Sequence, residues 1–233
     1  MFNEPLGCNT QLMYDRIMGV PGNPEFPGFV WGGLDDKSKQ IYMDENNLRF
    51  TTNQRLQMMT LAKLLNDDGK HDMAKKVLDR MIAVMPKEHV PYEPAMVYGV
   101  QGYYQANAMK EANALSKELF GQCEEEYTFY SKLASDPNGS SYEEDANRLG
   151  SALQMLGEYA SQYGQKDLNA DYSKRLNALQ LRSPDQQRMP DQNQNQQQPQ
   201  MNKQMLDSLI KAAGQDCTAV TAPQNVHKPR HKK

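Results

Sequence analysis

The sequence predicts an all-α fold in which antiparallel helical hairpins stack as a short solenoid. Three observations support this class: apolar residues recur at helical spacing through residues 51–181, short breaks separate the apolar stretches, and part of the pattern returns after an offset of 38 residues. On either side of this helical-repeat domain we expect an irregular segment at 1–50 and a disordered tail at 182–233.

The average composition of the chain hides a boundary at Arg182. Hydrophobic residues make up 38% of the 233 residues, and the formal net charge is −3. Before the boundary the hydrophobic share is about 42% and the net charge is −7, whereas after it these values are about 25% and +4. The chain therefore combines an acidic body that is able to bury a core with a basic, polar tail.

Neither a membrane-spanning helix nor a secretory leader is expected. No run approaches the ~18 consecutive apolar residues that a spanning helix needs. Residues 1–16 lack both the basic start and the apolar stretch of a signal peptide. If the chain is expressed as written, without a signal, we expect it to stay in the cytoplasm.

The three cysteines, Cys8, Cys123 and Cys217, indicate neither a metal site nor a disulfide framework. No two of them have CxxC spacing, no histidine lies at ligand spacing from them, and their number is odd. Cys123 is expected near a helix end, as a small and partly buried residue.

Glycine and proline break any regular pattern in the predicted irregular segment. These residues are Gly19, Pro21, Gly22, Pro24, Pro27, Gly28, Gly32 and Gly33. Phe26, Phe29 and Trp31 lie among them, and we expect these rings to pin an ordered loop on the first hairpin rather than to form a ligand platform. The nearby acidic residues lack the alternating oxygen ligands of a calcium loop, so no metal is expected.

The first hairpin consists of two amphipathic stretches joined by a short connection. The first stretch begins near Asn53 and ends at 66–70, where Gly69 suits a left-handed position. The second runs from about Asp72 until Pro86 stops it. Their apolar faces comprise Met58, Leu61, Ala62 and Leu65 in the first helix and Ala74, Val77, Leu78, Met81 and Met85 in the second. So short a connection makes the two helices antiparallel.

A second hairpin repeats this arrangement. Its helices are predicted at 94–105 and from Ala108 onward, and Ala112 superposes on Ala74 at the 38-residue offset. Small residues at these two positions allow paired helices to cross closely.

A third hairpin closes the core. Residues 141–144 read as a capping box that opens a long helix, and Gly164 ends that helix. A partner helix is predicted from about 167 to 180. With this pair the array reaches the three units that a solenoid needs for stability.

The first two hairpins resemble tetratricopeptide repeats, which carry an alanine early in the second helix and a proline at the end. The matching residues are Ala62, Leu65, Ala74, Leu78, Met81 and Pro86 in the first unit, and Tyr103, Ala112 and Leu119 in the second. The second unit departs from the pattern at Ser116, where a large apolar residue is usual, and it lacks the final proline. A plain helical bundle is the alternative, and it predicts nearly the same helices.

A further resemblance runs from about Asn9 to Leu133. The strings FVWGGLDDKSKQIYMDENNLRF (29–50), VLDRMIAVMPKEHVPY (77–92) and CEEEYTFYSKL (123–133) resemble, in order, the soluble C-terminal region of a family of bacterial multi-pass membrane proteins of unknown function. That family resembles protein O-mannosyltransferases. The resemblance implies that the chain is the C-terminal portion, or a separated gene piece, of a membrane glycosyltransferase-like protein at the periplasmic face of the inner membrane. The membrane-embedded region of the family has no counterpart in this sequence, so no catalytic residue is carried over.

The sequence contains no motif that indicates an enzyme. GxSxG, GxGxxG and P-loop patterns are absent, and none of the four histidines lies in a sequence context that suggests a nucleophile and its base. The acidic runs at 124–126 and 143–145 place consecutive carboxylates on different helix faces, which is typical of solvated surface rather than of paired-carboxylate catalysis. We therefore expect no catalytic residue and no cofactor.

Two functions remain open. The first is a non-catalytic interaction module that docks a protein partner or the parent membrane domain, or positions an acceptor, in the groove that stacked hairpins form. The second is a recognition domain that binds the glycan or polypeptide substrate of a protein O-glycosylation enzyme. Candidate residues are Arg55, Lys63, Tyr98, Tyr103 and Tyr104 for the groove, most of which equally suit the core, and Trp31 and Tyr42 for stacking on sugar. We favour the first function.

The tail has three parts of different composition. Residues 186–204 hold twelve Gln or Asn among nineteen, which predicts a disordered linker, with a prion-like tract as the alternative. Residues 203–213 are predicted to form a short helix with Met205, Leu206, Leu209 and Ile210 on one face. The basic end at 227–233 is interpreted as solubilising, and we do not expect it to bind nucleic acid.

Overall fold

The protein is all-helical over the residues that its structure, a computed structural model, describes. These are residues 9–29, 32–39, 41–136 and 139–181. They form seven α-helices, two 3₁₀ turns and no strand, which confirms the predicted class. The helices are α1 (Thr10–Met18), α2 (Glu45–Asp67), α3 (His71–Val84), α4 (Val97–Gln105), α5 (Met109–Ala134), α6 (Glu143–Gln162) and α7 (Lys166–Ala178), and the 3₁₀ turns are Pro94–Met96 and Ser140–Tyr142.

The same tight turn joins α2 to α3, α4 to α5, and α6 to α7. In each turn an N–H reaches back five residues to a carbonyl of the preceding helix: Lys70 to Leu65 (2.7 Å), Ala108 to Tyr103 (2.9 Å) and Gln165 to Ala160 (2.8 Å). The residue before each donor has a positive φ, at Gly69 (75°), Asn107 (57°) and Gly164 (69°). This is the Schellman arrangement, which satisfies carbonyls at the helix end through one left-handed residue. The first two turns are 38 residues apart, which matches the offset found in the sequence.

Helices that are neighbours in sequence pack against each other, and the most extensive packing is between α5 and α6. The predicted small residues Ala74 and Ala112 are fully buried. Close approach also depends on Gly102 in α4, where an added Cβ would lie 3.1 Å from Leu78 Cδ1. A larger residue at this position would separate α4 from α3.

The N-terminal segment is more regular than predicted. Residues 10–18 form α1, and α2 begins at Glu45 rather than near Asn53. Asp44 caps α2 by accepting a hydrogen bond from the backbone N–H of Asn47 at 2.7 Å. The predicted boundary at residue 50 therefore falls inside a helix. The prediction missed these turns because most residues at the start of α2 remain exposed and leave no apolar periodicity.

The loop between α1 and α2 has contacts that were not predicted. Leu34 is buried, Phe26 is half-buried and Phe29 is 43% exposed, and Trp31 lies outside the described residues. The imidazole ring of His89 lies between two loop carbonyl oxygens, with Nδ1 2.7 Å from that of Leu34 and Nε2 2.8 Å from that of Lys39. Polar contacts to His89 therefore attach the loop to the connection after α3.

Two details of α5 and α6 also differ from the prediction. Helix α5 continues to Ala134, so Cys123 lies in its middle and is buried rather than near a helix end. Residues 140–142 form a 3₁₀ turn, and α6 starts at Glu143 without a side-chain cap, so the predicted capping box does not form. The turn already supplies helical geometry ahead of α6, which leaves no role for a serine cap.

No helix among the described residues combines the length and the apolar character needed to cross a bilayer. The predicted linker, the predicted helix at 203–213 and the basic end lie outside the described residues.

Candidate functional site

A groove between α3 and α5 is the site that combines apolar surface with converging charge. Its volume is about 340 Å³, at the lower end of the range for ligand pockets. We call it the α3–α5 groove, and its lining residues are Asp79, Ile82, Ala83, Tyr92, Tyr103, Glu111, Ala114, Leu115 and Glu118. All its charged lining residues are acidic.

Two tyrosines form the base of the α3–α5 groove. The hydroxyl of Tyr103, from α4, donates to Asp79 Oδ1 at 3.0 Å. Burial, and secondly the charge of Asp79, raise the pKa of Tyr103 well above its usual range, so this hydroxyl stays protonated. The backbone of Tyr92, in the connection before α4, is held by Gln122, whose Nε2 donates to the Tyr92 carbonyl oxygen at 2.8 Å.

Two lysines form ion pairs with the acidic rim of the α3–α5 groove. Lys75 Nζ lies 2.8 Å from Asp79 and 3.0 Å from Glu111, and Lys87 pairs with Glu118. The hydrogen bond to Asp79, followed by that to Glu111, raises the pKa of Lys75. The hydrogen bond from Lys75 in turn lowers the pKa of Glu111. Three carboxylates facing two ammonium groups leave one net negative charge, which suits an apolar ligand with a cationic group.

Of the predicted groove candidates, Arg55 lines a small cavity between α2 and the 3₁₀ turn before α4. The volume of this cavity is about 10 Å³, enough for no more than one water. This cavity is lined by Thr52, Arg55, Leu56, Met59, Glu93, Ala95 and Met96.

Arg55 is an internal anchor in this structure. It is 2% exposed, and its guanidinium donates to the carbonyl oxygens of Met85 (2.6 Å), Val90 (2.6 Å) and Pro91 (2.7 Å). Burial lowers its pKa to about 10, so the group remains cationic at neutral pH. Both terminal guanidinium nitrogens donate to the backbone of its own chain, which corresponds to the core alternative of the sequence analysis.

The other groove candidates occupy different environments. Tyr103 is buried at the base of the α3–α5 groove, and Tyr104 is buried between helix pairs, with its ring stacked on Tyr163 at a centroid distance of 4.5 Å. Tyr98 is half-buried, and Lys63 lies on the surface of α2 in an ion pair with Asp67. The structure thus brings none of these side chains together in one open groove.

The candidates for sugar stacking lie in the N-terminal segment. Tyr42 is 88% exposed, just before α2. Trp31 lies outside the described residues. Nearby, the loop at 18–27 surrounds a cavity of about 530 Å³, lined by Gly, Pro, Met, Val and Asn without a charged or aromatic side chain.

The described ranges contain no group of three His, Cys, Asp or Glu side chains placed to hold a metal ion. His71 Nδ1 lies 3.0 Å from Asn66 Oδ1, and both ring nitrogens of His89 face carbonyl oxygens. Both histidines therefore contact oxygen atoms of their own chain.

Sequence reasoning missed the acidic rim of the α3–α5 groove. Glu111, Leu115 and Glu118 are spaced by four and three residues on α5, so they share one helix face. This pattern could have been found in the sequence, since a leucine flanked by two carboxylates on one helix face indicates a surface that combines apolar and acidic groups. The sequence does not show that this face of α5 lies beside Asp79 of α3, because that depends on how the helices pack.

Comparison of the chain with protein-family models, with curated proteins and with solved structures gives no match.

Proposed function

We propose that the protein is a helical-repeat interaction module that docks a segment of a protein partner in the α3–α5 groove. The observation that carries the proposal is an apolar base enclosed by three carboxylates, Asp79, Glu111 and Glu118. Such a site fits an apolar side chain that is followed or preceded by a lysine or arginine.

The chemistry of the rim supports binding rather than catalysis. Asp79 and Glu111 share Lys75, and Glu118 pairs with Lys87. The hydrogen bond from Lys75 lowers the pKa of Glu111, so this carboxylate is a poor proton donor at neutral pH. The three rim carboxylates remain available to exchange one cationic partner for another, as a docking site requires.

The recurring turns support a repeat of hairpins. The turns after α2 and α4 have the same hydrogen bonds and follow one another at 38 residues. Burial of Ala74 and Ala112 at equivalent positions agrees with the tetratricopeptide-like pattern. We propose that the three helix pairs are units of a short solenoid whose open groove lies between the second helices, α3 and α5.

The resemblance to a membrane-protein family suggests one partner. We propose that the chain belongs to a membrane glycosyltransferase-like protein and docks its membrane domain, or a polypeptide acceptor, at the periplasmic face. The reading frame upstream of the gene tests this idea. A frame that encodes an unrelated protein contradicts it without affecting the docking proposal.

The docking proposal is tested with a fluorescein-labelled peptide that carries four leucines on one helical face and a lysine at each end. Fluorescence anisotropy is measured with the full chain and with its Glu118→Lys variant. We expect the charge reversal to weaken binding about tenfold, because it turns an attraction on the rim into a repulsion. Glu125→Lys is the matched control, since it makes the same charge change at an exposed position of α5.

Two results contradict the proposal. Equal losses in Glu118→Lys and Glu125→Lys indicate attraction to net charge rather than to the α3–α5 groove. Saturable binding of a mannose oligosaccharide that is lost in Trp31→Ala favours the glycan-recognition alternative.

A further inference from the structure

We propose that Lys75 occupies, in the free protein, the position that an arginine of the bound partner takes over. The inference rests on the proposed function because it concerns the same α3–α5 groove. It deepens that function in two ways: it names the cationic residue of the partner, and it makes Lys75 an internal competitor that regulates docking.

The ammonium group of Lys75 marks a cation position that two helices share. Its Nζ lies 2.8 Å from Asp79 Oδ2, on its own helix α3, and 3.0 Å from Glu111 Oε1, on α5. Lys87 differs, since it pairs with a single carboxylate of the rim, that of Glu118. Because Asp79 and Glu111 both line the α3–α5 groove, a cation that contacts both lies at the edge of the groove.

The two carboxylates are also held by interactions that do not involve Lys75. The hydroxyl of Tyr103 donates to Asp79 Oδ1 at 3.0 Å, whereas Lys75 contacts the other oxygen, Oδ2. Glu111 lies in the first turn of α5, where the helix dipole stabilises a negative charge. The two carboxylates therefore keep their positions when the ammonium group leaves.

Lys75 is able to leave this position at small cost. Its side chain is 35% exposed, and the side chains of Asp79 and Glu111 are 45% and 38% exposed. Ion pairs that are this open to solvent stabilise a protein little, and a lysine side chain regains conformational freedom when it is released. A cation of the partner can reach the same oxygens from solvent.

The geometry favours arginine over lysine as the residue that displaces Lys75. A second ammonium group would only repeat the contacts that Lys75 already makes. A guanidinium has five N–H donors in a planar fork, so it can donate to Asp79 and Glu111 through separate nitrogens. These charge-assisted hydrogen bonds supply the gain that drives the exchange. Ile82 and Leu115 then receive the apolar side chain beside the arginine.

The inference is tested with two labelled peptides, the lysine-ended leucine peptide of the docking assay and the same peptide with arginine at both ends. Fluorescence anisotropy is measured with the full chain and with its Lys75→Met variant, because methionine keeps an unbranched side chain without the charge. We expect Lys75→Met to bind both peptides about fivefold more tightly, which corresponds to the loss of a competing surface ion pair. We expect the unaltered chain to bind the arginine peptide about fivefold more tightly than the lysine peptide, and Glu111→Gln to abolish this preference.

Lys76→Met is the matched control for Lys75→Met. Lys76 is the next residue of α3, it is exposed, and its replacement removes the same charge. A general increase in negative charge would strengthen peptide binding equally in the two variants. A gain that is confined to Lys75→Met therefore identifies Lys75 as the competitor.

Acetylation of the full chain measures the displacement directly. The hydrogen bond to Asp79, followed by that to Glu111, raises the pKa of Lys75, so fewer molecules carry the free amine that reacts with acetic anhydride. Displacement by the arginine peptide should therefore increase the acetylation of Lys75, with Lys76 as the internal reference, as followed by peptide mass spectrometry. A lysine that stays in place and is covered by the peptide reacts more slowly instead.

The outcomes separate this inference from the proposed function. Equal effects of Lys75→Met and Lys76→Met overturn the inference, as does slower acetylation of Lys75 in the complex or equal affinity of the unaltered chain for the two peptides. In each of these cases, peptide binding that depends on Glu118 still supports the docking function. If neither peptide binds saturably to any of these proteins, the inference and the docking function are both wrong.

Discussion

The guanidinium carbon of Arg55 in α2 lies 5.1 Å from the ring centroid of Tyr92, in the connection between α3 and α4. The same guanidinium bonds to three carbonyl oxygens of that connection, two of them buried. A buried cation is thus stabilised by carbonyl dipoles and an aromatic face. The contact fixes Tyr92, which lines the α3–α5 groove.

Replacing Arg55 with leucine is expected to destabilise the protein by about 3 kcal/mol or more, because buried carbonyls lose their donor. Urea denaturation measures the change. Lys63→Ala is the control, since it removes only an i,i+4 surface pair and should cost about 0.5 kcal/mol or less. Equal effects of the two substitutions would show that Arg55 is not an anchor.

The buried hydroxyls of Ser116 and Tyr172 lie 2.9 Å apart and hydrogen-bond across α5 and α7. Ser116→Ala and Tyr172→Phe should each cost about 1–2 kcal/mol, because each leaves one buried hydroxyl without its partner. The double variant should cost less than the sum of the two, since it removes both groups at once. Denaturation of all four proteins measures this coupling, and strictly additive losses would contradict it.

Alanine substitutions at two helical glycines are expected to change the stability of the protein in opposite directions. Gly121→Ala in α5 meets no atom within 4 Å, so improved helix propensity should raise the free energy of unfolding by about 0.5–1 kcal/mol. Gly102→Ala places a Cβ 3.1 Å from Leu78 Cδ1 in a fully packed region and should lower it by about 1 kcal/mol. Thermal unfolding compares the two. A stabilising Gly102→Ala would indicate that Leu78 moves freely.

Cys123 is expected to be unreactive in the folded protein. Burial, assisted by the charge of Glu126, raises its pKa to about 12, so at about pH 8 only about one molecule in 10⁴ carries the thiolate. A Cys8→Ser/Cys217→Ser chain should therefore react with Ellman's reagent only after denaturation in urea. Rapid labelling without urea would mean that the middle of α5 opens readily.

The turns were the most predictable part of the fold. Gly69 and Gly164 mark two of them, because a residue without Cβ adopts positive φ at low cost. The third contains Asn107, in the short break between the helices predicted at 94–105 and from Ala108 onward. Local chemistry was therefore enough to place the helix pairs.

The candidate site was less predictable because it depends on contacts between distant residues. The sequence shows that residues 103 and 104 are both tyrosines, but it does not show which helices pack against each ring. Likewise, Arg55 resembles a surface cation until the connection that it binds is known. Ser116 departed from the repeat pattern for a reason visible only in the packing, namely the hydroxyl of Tyr172.

The length of α5 has a consequence for how the protein opens. Helix α5 has 26 residues, whereas its hairpin partner α4 has nine, and α5 packs more extensively on α6 than on α4. In an ideal repeat array each hairpin exchanges its amide hydrogens as one unit. Here the slowest-exchanging amides should include those of both α5 and α6. The boundary between cooperatively unfolding units should therefore lie between α4 and α5, within the second hairpin, rather than between two hairpins.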